Sequence, residues 1–342
     1  MEKKLIKGLL LIVAFILMGC AHSVETKQDY AETYYNLGIS YQKSGRYNEA
    51  IKAYEKVIEI EPDDADVHYA LGWNYGKLNR HNEAIEAFNK AIRLAPDYFE
   101  AYLLRGTSCL YTSRYNEAIE DFTRGIAMIP NDDKGYSLRR AAYMLRGNAY
   151  MLKDNYDNAI EDFSRAIAMN ENDAVAAMAY GYRASAYEKK GRDEKAFEDI
   201  NKAIAIKPND ESYMNRGFIN YKKGNYDNAI EDFSRAININ PNNLEAYGNR
   251  GYAYLDSGKY QSAIMDFQKS IKLDKDTVDS YIGLSIVYFR QNRIEESKLY
   301  YKKATEIEPL CKKGLDALEK EKGYFYTPSH KQTVNKILRF FL

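Results

Sequence analysis

The chain has 342 residues, and its 49 Lys and Arg equal its 49 Asp and Glu, so the formal net charge is zero. This balance argues against a nucleic-acid partner, which would require a concentrated basic field. The chain contains 32 Tyr but only 7 Pro, and 45% of its residues are apolar. Such a composition excludes a low-complexity chain and favours amphipathic helices with tyrosine packed between them.

The N-terminus predicts an export signal over residues 1–19 rather than part of the fold. Lys3, Lys4 and Lys7 precede an uncharged apolar stretch from residue 9 to residue 17. That stretch is shorter than the roughly 20 apolar residues needed to span a bilayer, and a short apolar stretch with basic residues before it is typical of a signal peptide.

The end of this stretch, Leu17-Met18-Gly19-Cys20, resembles the bacterial lipobox. The resemblance implies cleavage before Cys20, acylation (palmitate included) of its sulfur and new amino terminus, and a tether over residues 20–30. The alternative is an ordinary secretory signal with an accidental cysteine. The lipoprotein interpretation places the protein in the cell envelope, on the outer membrane facing the periplasm if the cell has two membranes.

From residue 31 onward, one pattern recurs about every 34 residues: an aromatic, a small residue four positions later, then Ala, then another aromatic four residues on. We place the units at 31–64, 65–98, 99–132, 140–173, 177–209, 210–243, 244–277 and 278–311. The small residues of the first helix are Gly38, Gly72, Gly106, Gly147, Ala184, Gly217 and Gly251, and the eighth unit is degenerate.

This pattern resembles the tetratricopeptide repeat family. The resemblance implies an all-α fold, an α-solenoid (a right-handed superhelix) of about eight helix-turn-helix repeats. Residues 312–342 would add a capping helix and an amphipathic tail. Residues 133–139 form an insertion, which we expect to bulge from the solenoid and to divide it into two halves.

The five middle units carry an Arg–Asp combination that the outer units lack. Arg precedes the small residue of the first helix, and Asp precedes the second-helix core position, whereas two outer units have Leu37 with Ala53 and Leu71 with Ala87. The pairs are Arg105 with Asp121, Arg146 with Asp162, Arg183 with Asp199, Arg216 with Asp232, and Arg250 with Asp266. We expect a contact within each hairpin; the alternative is recent duplication of neutral residues.

In the family that the chain resembles, first helices line a concave groove that holds a partner polypeptide. The positions that the resemblance places there are Tyr35, Tyr69, Trp73, Leu103, Met144, Met151, Met178, Met214, Phe218, Tyr221, Tyr252, Ile282 and Phe289. Met with aromatic side chains suits a groove that accepts a helix or an extended segment. The alternative is that many of these side chains pack against the next hairpin.

Beyond the repeats, Leu310, Leu315 and Leu318 predict the capping helix. The last residues carry Val334, Ile337, Leu338 and Phe341 at helical spacing. Such an apolar stripe requires a cover, for which three candidates remain: the groove of the same chain, a second copy in a homodimer, or a partner.

No residue pattern predicts catalysis, a metal site or a cofactor. The four His are scattered, no Gly-rich phosphate loop is present, and paired carboxylates recur with the repeat. We therefore expect a non-catalytic, membrane-tethered scaffold that binds envelope proteins or peptide segments. The alternatives are a soluble-type chaperone-like module and a pilotin for pilus or secretin assembly.

Overall fold

The computed structural model describes residues 27–314 together with residues 326, 330, 331 and 334. From residue 27 to residue 314 it contains sixteen α-helices, a final 3₁₀ turn and no strand. The proposed signal peptide, Cys20 and its tether up to residue 26 lie outside the described residues, as do Leu315, Leu318, Ile337, Leu338 and Phe341.

The helices form eight consecutive antiparallel hairpins, and the all-α prediction is confirmed. The first four hairpins comprise α1 (27–43), α2 (Tyr47–Ile60), α3 (Ala65–Lys77), α4 (His81–Leu94), α5 (Phe99–Tyr111), α6 (Tyr115–Met128), α7 (Asp133–Met151) and α8 (Tyr156–Met169). The last four comprise α9 (Ala174–Lys189), α10 (Asp193–Ile206), α11 (Asp210–Lys222), α12 (Tyr226–Ile239), α13 (Leu244–Asp256), α14 (Tyr260–Leu273), α15 (Val278–Arg290) and α16 (Ile294–Ile307). The 3₁₀ turn spans Pro309–Lys313.

Each hairpin turns through one residue in the left-handed region, where φ lies between 55° and 78°. These residues are Gly45, Asn79, Ser113, Asp154, Gly191, Gly224, Gly258 and Asn292. Seven of the eight are Gly, Asn or Asp, which tolerate this conformation best. The turn chemistry therefore repeats with the same period as the core.

Two compact units make up the chain, and the boundary falls between Asn170 and Glu171. We call them the N-terminal unit (α1–α8) and the C-terminal unit (from α9 onward). Within each unit, a second helix packs against its own first helix and against the first helix of the next hairpin. The expectation of a division at residues 133–139 is wrong.

The insertion at residues 133–139 is not a bulging loop but the first two turns of α7, which spans 19 residues where α5 spans 13. Asp132 caps this extension by accepting the Gly135 backbone N–H. Further along α7, Arg140 donates to the carbonyls of Ala166 (2.8 Å) and Asn170 (2.7 Å). Helix α7 thus satisfies carbonyl groups that the end of α8 leaves open.

Glycine and aromatic side chains set the distance between the helices of a hairpin. A Cβ built on Gly38, Gly72, Gly106, Gly147, Gly217 or Gly251 would lie 2.7–3.0 Å from the ring of the aromatic residue sixteen positions later. Phe267 also touches Gly283 of the next hairpin. These rings are fully buried and form the core of each unit.

Candidate binding surfaces

Each of the five Arg–Asp pairs is a bidentate contact between the two helices of one hairpin. The Nε–Oδ2 distances are 2.7–3.0 Å and the Nη2–Oδ1 distances are 2.5–2.8 Å. Arg146 and Asp162 form the most buried pair, with 11% and 3% of their side-chain surfaces exposed. Burial alone would lower the pKa of Arg146, but the hydrogen bonds to Asp162, the attraction of its charge and the nearby Tyr150 and Tyr143 together outweigh burial and raise that pKa. The guanidinium therefore stays charged.

A third contact, which the sequence analysis missed, joins neighbouring hairpins. Nη1 of Arg105, Arg146, Arg216 and Arg250 donates to Asn89, Thr123, Asn201 and Ser234 respectively, at 2.5–2.9 Å. All four acceptors lie on the second helix of the preceding hairpin, directly after its core aromatic or Ile. The sequence contains the signal, because the acceptors are short polar residues, whereas the hairpins that precede Leu71 and Leu284 have the longer Glu55 and Gln268 at this position.

The residues predicted to line a groove do not share one environment. Met178 is 53% exposed, while Tyr35, Tyr69, Trp73, Met144, Met151, Phe218 and Phe289 are partly exposed. Leu103, Met214, Tyr221, Tyr252 and Ile282 are buried. These five side chains pack within their own unit, and Tyr221 and Tyr252 also line a cavity described below. That the predicted set lines a groove for a partner stays a prediction.

In the N-terminal unit, an aromatic surface remains open on the first helices α3 and α5. Trp73 packs edge-on against Tyr47, and Tyr111, which is 71% exposed, stacks on His81 at 4.4 Å between ring centroids. With Leu104, Trp73 and Tyr111 line a cavity of about 330 Å³. We call Trp73, Leu104 and Tyr111 the N-terminal aromatic surface.

In the C-terminal unit, a cavity of about 410 Å³ lies along the first helices α11, α13 and α15. Its described lining includes the carboxylates of Glu245, Asp274, Asp276 and Asp279 but no Lys, Arg or His. The other described lining residues are Phe218, Tyr221, Leu244, Gly248, Asn249, Tyr252, Ser270, Thr277, Val278 and Ser280. This surface therefore favours a cationic group over an anionic one.

Two buried hydroxyls of the same cavity have no described partner. Ser270 and Ser280 are 0% exposed, and neither Oγ has a hydrogen-bond partner among the residues that the structure describes. The residues at the position of Ser270 in the preceding hairpins, Ala203 and Ala236, are alanine. A hydroxyl in place of a buried methyl group costs free energy unless a polar atom satisfies it.

The remaining candidate groups have structural roles. Nε2 of His68 lies 2.9 Å from the Pro62 carbonyl oxygen. Cys109 and Cys311 are free and buried, and burial raises the pKa of each thiol to about 12. Thiols with such a pKa are poor nucleophiles at neutral pH. Among the described residues, no cluster of three His, Cys, Asp or Glu has the geometry to hold a metal ion.

Tetratricopeptide-repeat family models match residues 29–97, 69–133, 141–173, 179–210, 217–258, 244–276 and 278–309. Together these matches account for every hairpin. The chain belongs to the tetratricopeptide-repeat proteins. No curated protein matches it in sequence.

Two solved tetratricopeptide-repeat structures share the fold. The C-terminal part of a repeat protein from Cytophaga hutchinsonii aligns with 73% of this chain and 99% of its own, with 19% identity and a TM-score of 0.58. A repeat protein from Parabacteroides merdae aligns with 80% of this chain and 98% of its own, with 17% identity and a TM-score of 0.56. The protein MamA reaches 26% identity over 58% of this chain and 96% of its own, with a TM-score of 0.48.

Membership of the tetratricopeptide-repeat family supports a protein–protein interaction scaffold, and the family models indicate no enzyme family. None of the helices that the structure describes is both long enough and apolar enough to cross a bilayer. The tetratricopeptide array thus offers two different first-helix surfaces, one aromatic in the N-terminal unit and one acidic in the C-terminal unit.

Proposed function

We propose that the protein is a non-catalytic scaffold of the cell envelope, tethered to a membrane through Cys20, which binds a partner polypeptide on its first-helix surfaces. The observation that carries the binding proposal is the N-terminal aromatic surface. Soluble proteins seldom leave aromatic side chains clustered in the open, and Trp and Tyr contribute most strongly to binding when a partner covers them. The lipobox-like ending at Cys20 carries the tethering proposal.

Photocrosslinking in cells tests the binding. With a photoreactive residue at Tyr111 or Met178, both on first helices, we expect one defined crosslinked partner. Matched control positions are Met265 and Leu299, which are 63% and 51% exposed but lie on the second helices α14 and α16. Equal crosslinking at all four positions would contradict binding on the first-helix surfaces.

The nature of the partner separates the scaffold from its alternatives. Pilus or secretin subunits would favour a pilotin, and peptidoglycan hydrolases would favour an adaptor for envelope enzymes.

Membrane fractionation tests the tether, in the same cells expressing the variant Cys20→Ala. We expect this variant to leave the membrane fraction, because stable anchoring requires more than one acyl chain and the variant accepts none at this position. Retention of the variant in the membrane would contradict lipidation of Cys20.

A further inference from the structure

Three residues of the C-terminal tail, spaced four apart, are buried. Tyr326 is 2% exposed, and His330 and Val334 are both 0% exposed. Residues 330, 331 and 334 are helical, so His330 and Val334 lie on one helix face. Tyr326 and Val334 join the same apolar cluster as Tyr252 and Tyr301. The described part of the tail therefore folds back onto its own unit, which is the first of the three covers that the sequence left open.

The tail contacts the first helices of the C-terminal unit through two carboxylates. The Tyr326 hydroxyl donates to Oδ1 of Asp279, the second residue of α15, at 2.8 Å. Nε2 of His330 lies 2.9 Å from Oδ1 of Asp256, the last residue of α13. Both rings pack against Tyr252, with centroid distances of 6.2 Å and 5.1 Å. The tail thus uses hydrogen bonds as well as apolar contact.

Side chains of the repeat array contact both of these carboxylates. Asp256 accepts a hydrogen bond from the Tyr221 hydroxyl at 2.7 Å and lies 3.3 Å from Arg290. Asp279 accepts from the hydroxyl of Tyr252. Both carboxylates are therefore held in position, and side chains fixed in this way make binding selective.

The same surface continues past the tail into the 410 Å³ cavity, where Glu245, Asp276 and the unpartnered hydroxyls of Ser270 and Ser280 lie. The tail supplies a phenol and an imidazole to this acidic surface. The charge and the hydroxyls of the cavity are complementary to a segment that carries further N–H donors.

We propose that the first-helix surface around Asp256 and Asp279 recognises a segment that carries a phenol and, four residues later on a helix, a basic side chain. Tyr326, His330 and Val334 of the tail occupy this surface as its resident ligand. This inference rests on the proposed function, because a partner of that chemistry must displace the tail. Only molecules whose tail has left the surface can bind the partner. The apparent affinity is therefore the intrinsic affinity multiplied by the fraction of molecules in which the surface is open.

The probe is a fluorescent peptide with the sequence of residues 322–342, added to the full-length protein. Binding is followed by fluorescence anisotropy. We expect the Tyr326→Ala/His330→Ala protein, whose own tail is weakened but whose array is unchanged, to bind the peptide at least about tenfold more tightly than the wild type. Adding Asp256→Asn to that double variant is expected to abolish the gain. Circular dichroism verifies that each variant retains its helices.

A peptide with alanine at the positions of Tyr326 and His330 is the control ligand, and it should bind neither protein. Equal binding of the two peptides to the released variant would overturn the proposal, as would equal binding of the native peptide to the wild type and the released variant. Neither result would affect crosslinking at Tyr111, so the scaffold proposal is tested separately.

Discussion

Replacing Asp162 with alanine is expected to lower the free energy of unfolding by about 3–5 kcal/mol, because the substitution leaves the charge of Arg146 buried without its carboxylate. Only 9% of Arg146 and 2% of Asp162 are exposed, and two hydrogen bonds of 2.8 Å join them. Urea denaturation followed by circular dichroism measures the loss.

The outer hairpins provide the matched control for this pair. Hairpin two has Leu71 and Ala87 at the equivalent positions, and both are buried without any charge. The double variant Arg146→Leu/Asp162→Ala should therefore be clearly more stable than Asp162→Ala, because it removes the unpaired charge. A surface control is Glu161→Ala, which breaks the exposed Arg165–Glu161 pair and should cost no more than about 0.5 kcal/mol. If the double variant is as unstable as the single one, buried charge is not the cause.

The Arg–Asp contact could be predicted because the repeats of this chain can be compared with one another. Arg and Asp occur together in five units and are replaced together by Leu and Ala in two others, so one physical cause explains both positions. The third contact of the guanidinium was missed because Asn89 and Thr123 differ in chemical type. Only their short length together with their ability to accept a hydrogen bond connects them.

The environment of the first-helix residues was less predictable. The repeat pattern gives Tyr252 and Trp73 the same position in their hairpins, yet Tyr252 is buried and Trp73 is partly exposed. The difference arises from Tyr326 and His330, more than 70 residues further along the chain, which pack on Tyr252. A local pattern cannot specify which surface a distant segment covers. The insertion was misjudged for another reason, since only Asp132 indicates that a helix begins there.

Replacing Gly147 with alanine is expected to lower the free energy of unfolding by about 1–3 kcal/mol through overpacking. The new methyl carbon would lie 2.7 Å from Cε1 of Phe163, which is fully buried and therefore has little room to shift. Thermal and urea denaturation measure the loss. A helical glycine without such a neighbour provides the control: Gly181 lies in the middle of α9, and nothing lies within 4 Å of a Cβ built on it. Gly181→Ala should therefore stabilise the protein by about 0.5–1 kcal/mol through helix propensity alone.

Hairpin five indicates how the chain itself accommodates a larger residue at the glycine position. It has Ala184 where most other hairpins have Gly, and opposite it lies Ile200 in place of an aromatic ring; both are almost completely buried. The double variant Gly147→Ala/Phe163→Ile should therefore recover part of the stability that Gly147→Ala loses, even though Phe163→Ile alone removes buried volume and destabilises the hairpin. If the double variant loses as much free energy of unfolding as the two single variants together, the two positions are not coupled by contact. Recovery would establish that the separation of the two helices is set by the combined volume at these two positions, which explains why glycine faces an aromatic ring in six of the eight hairpins.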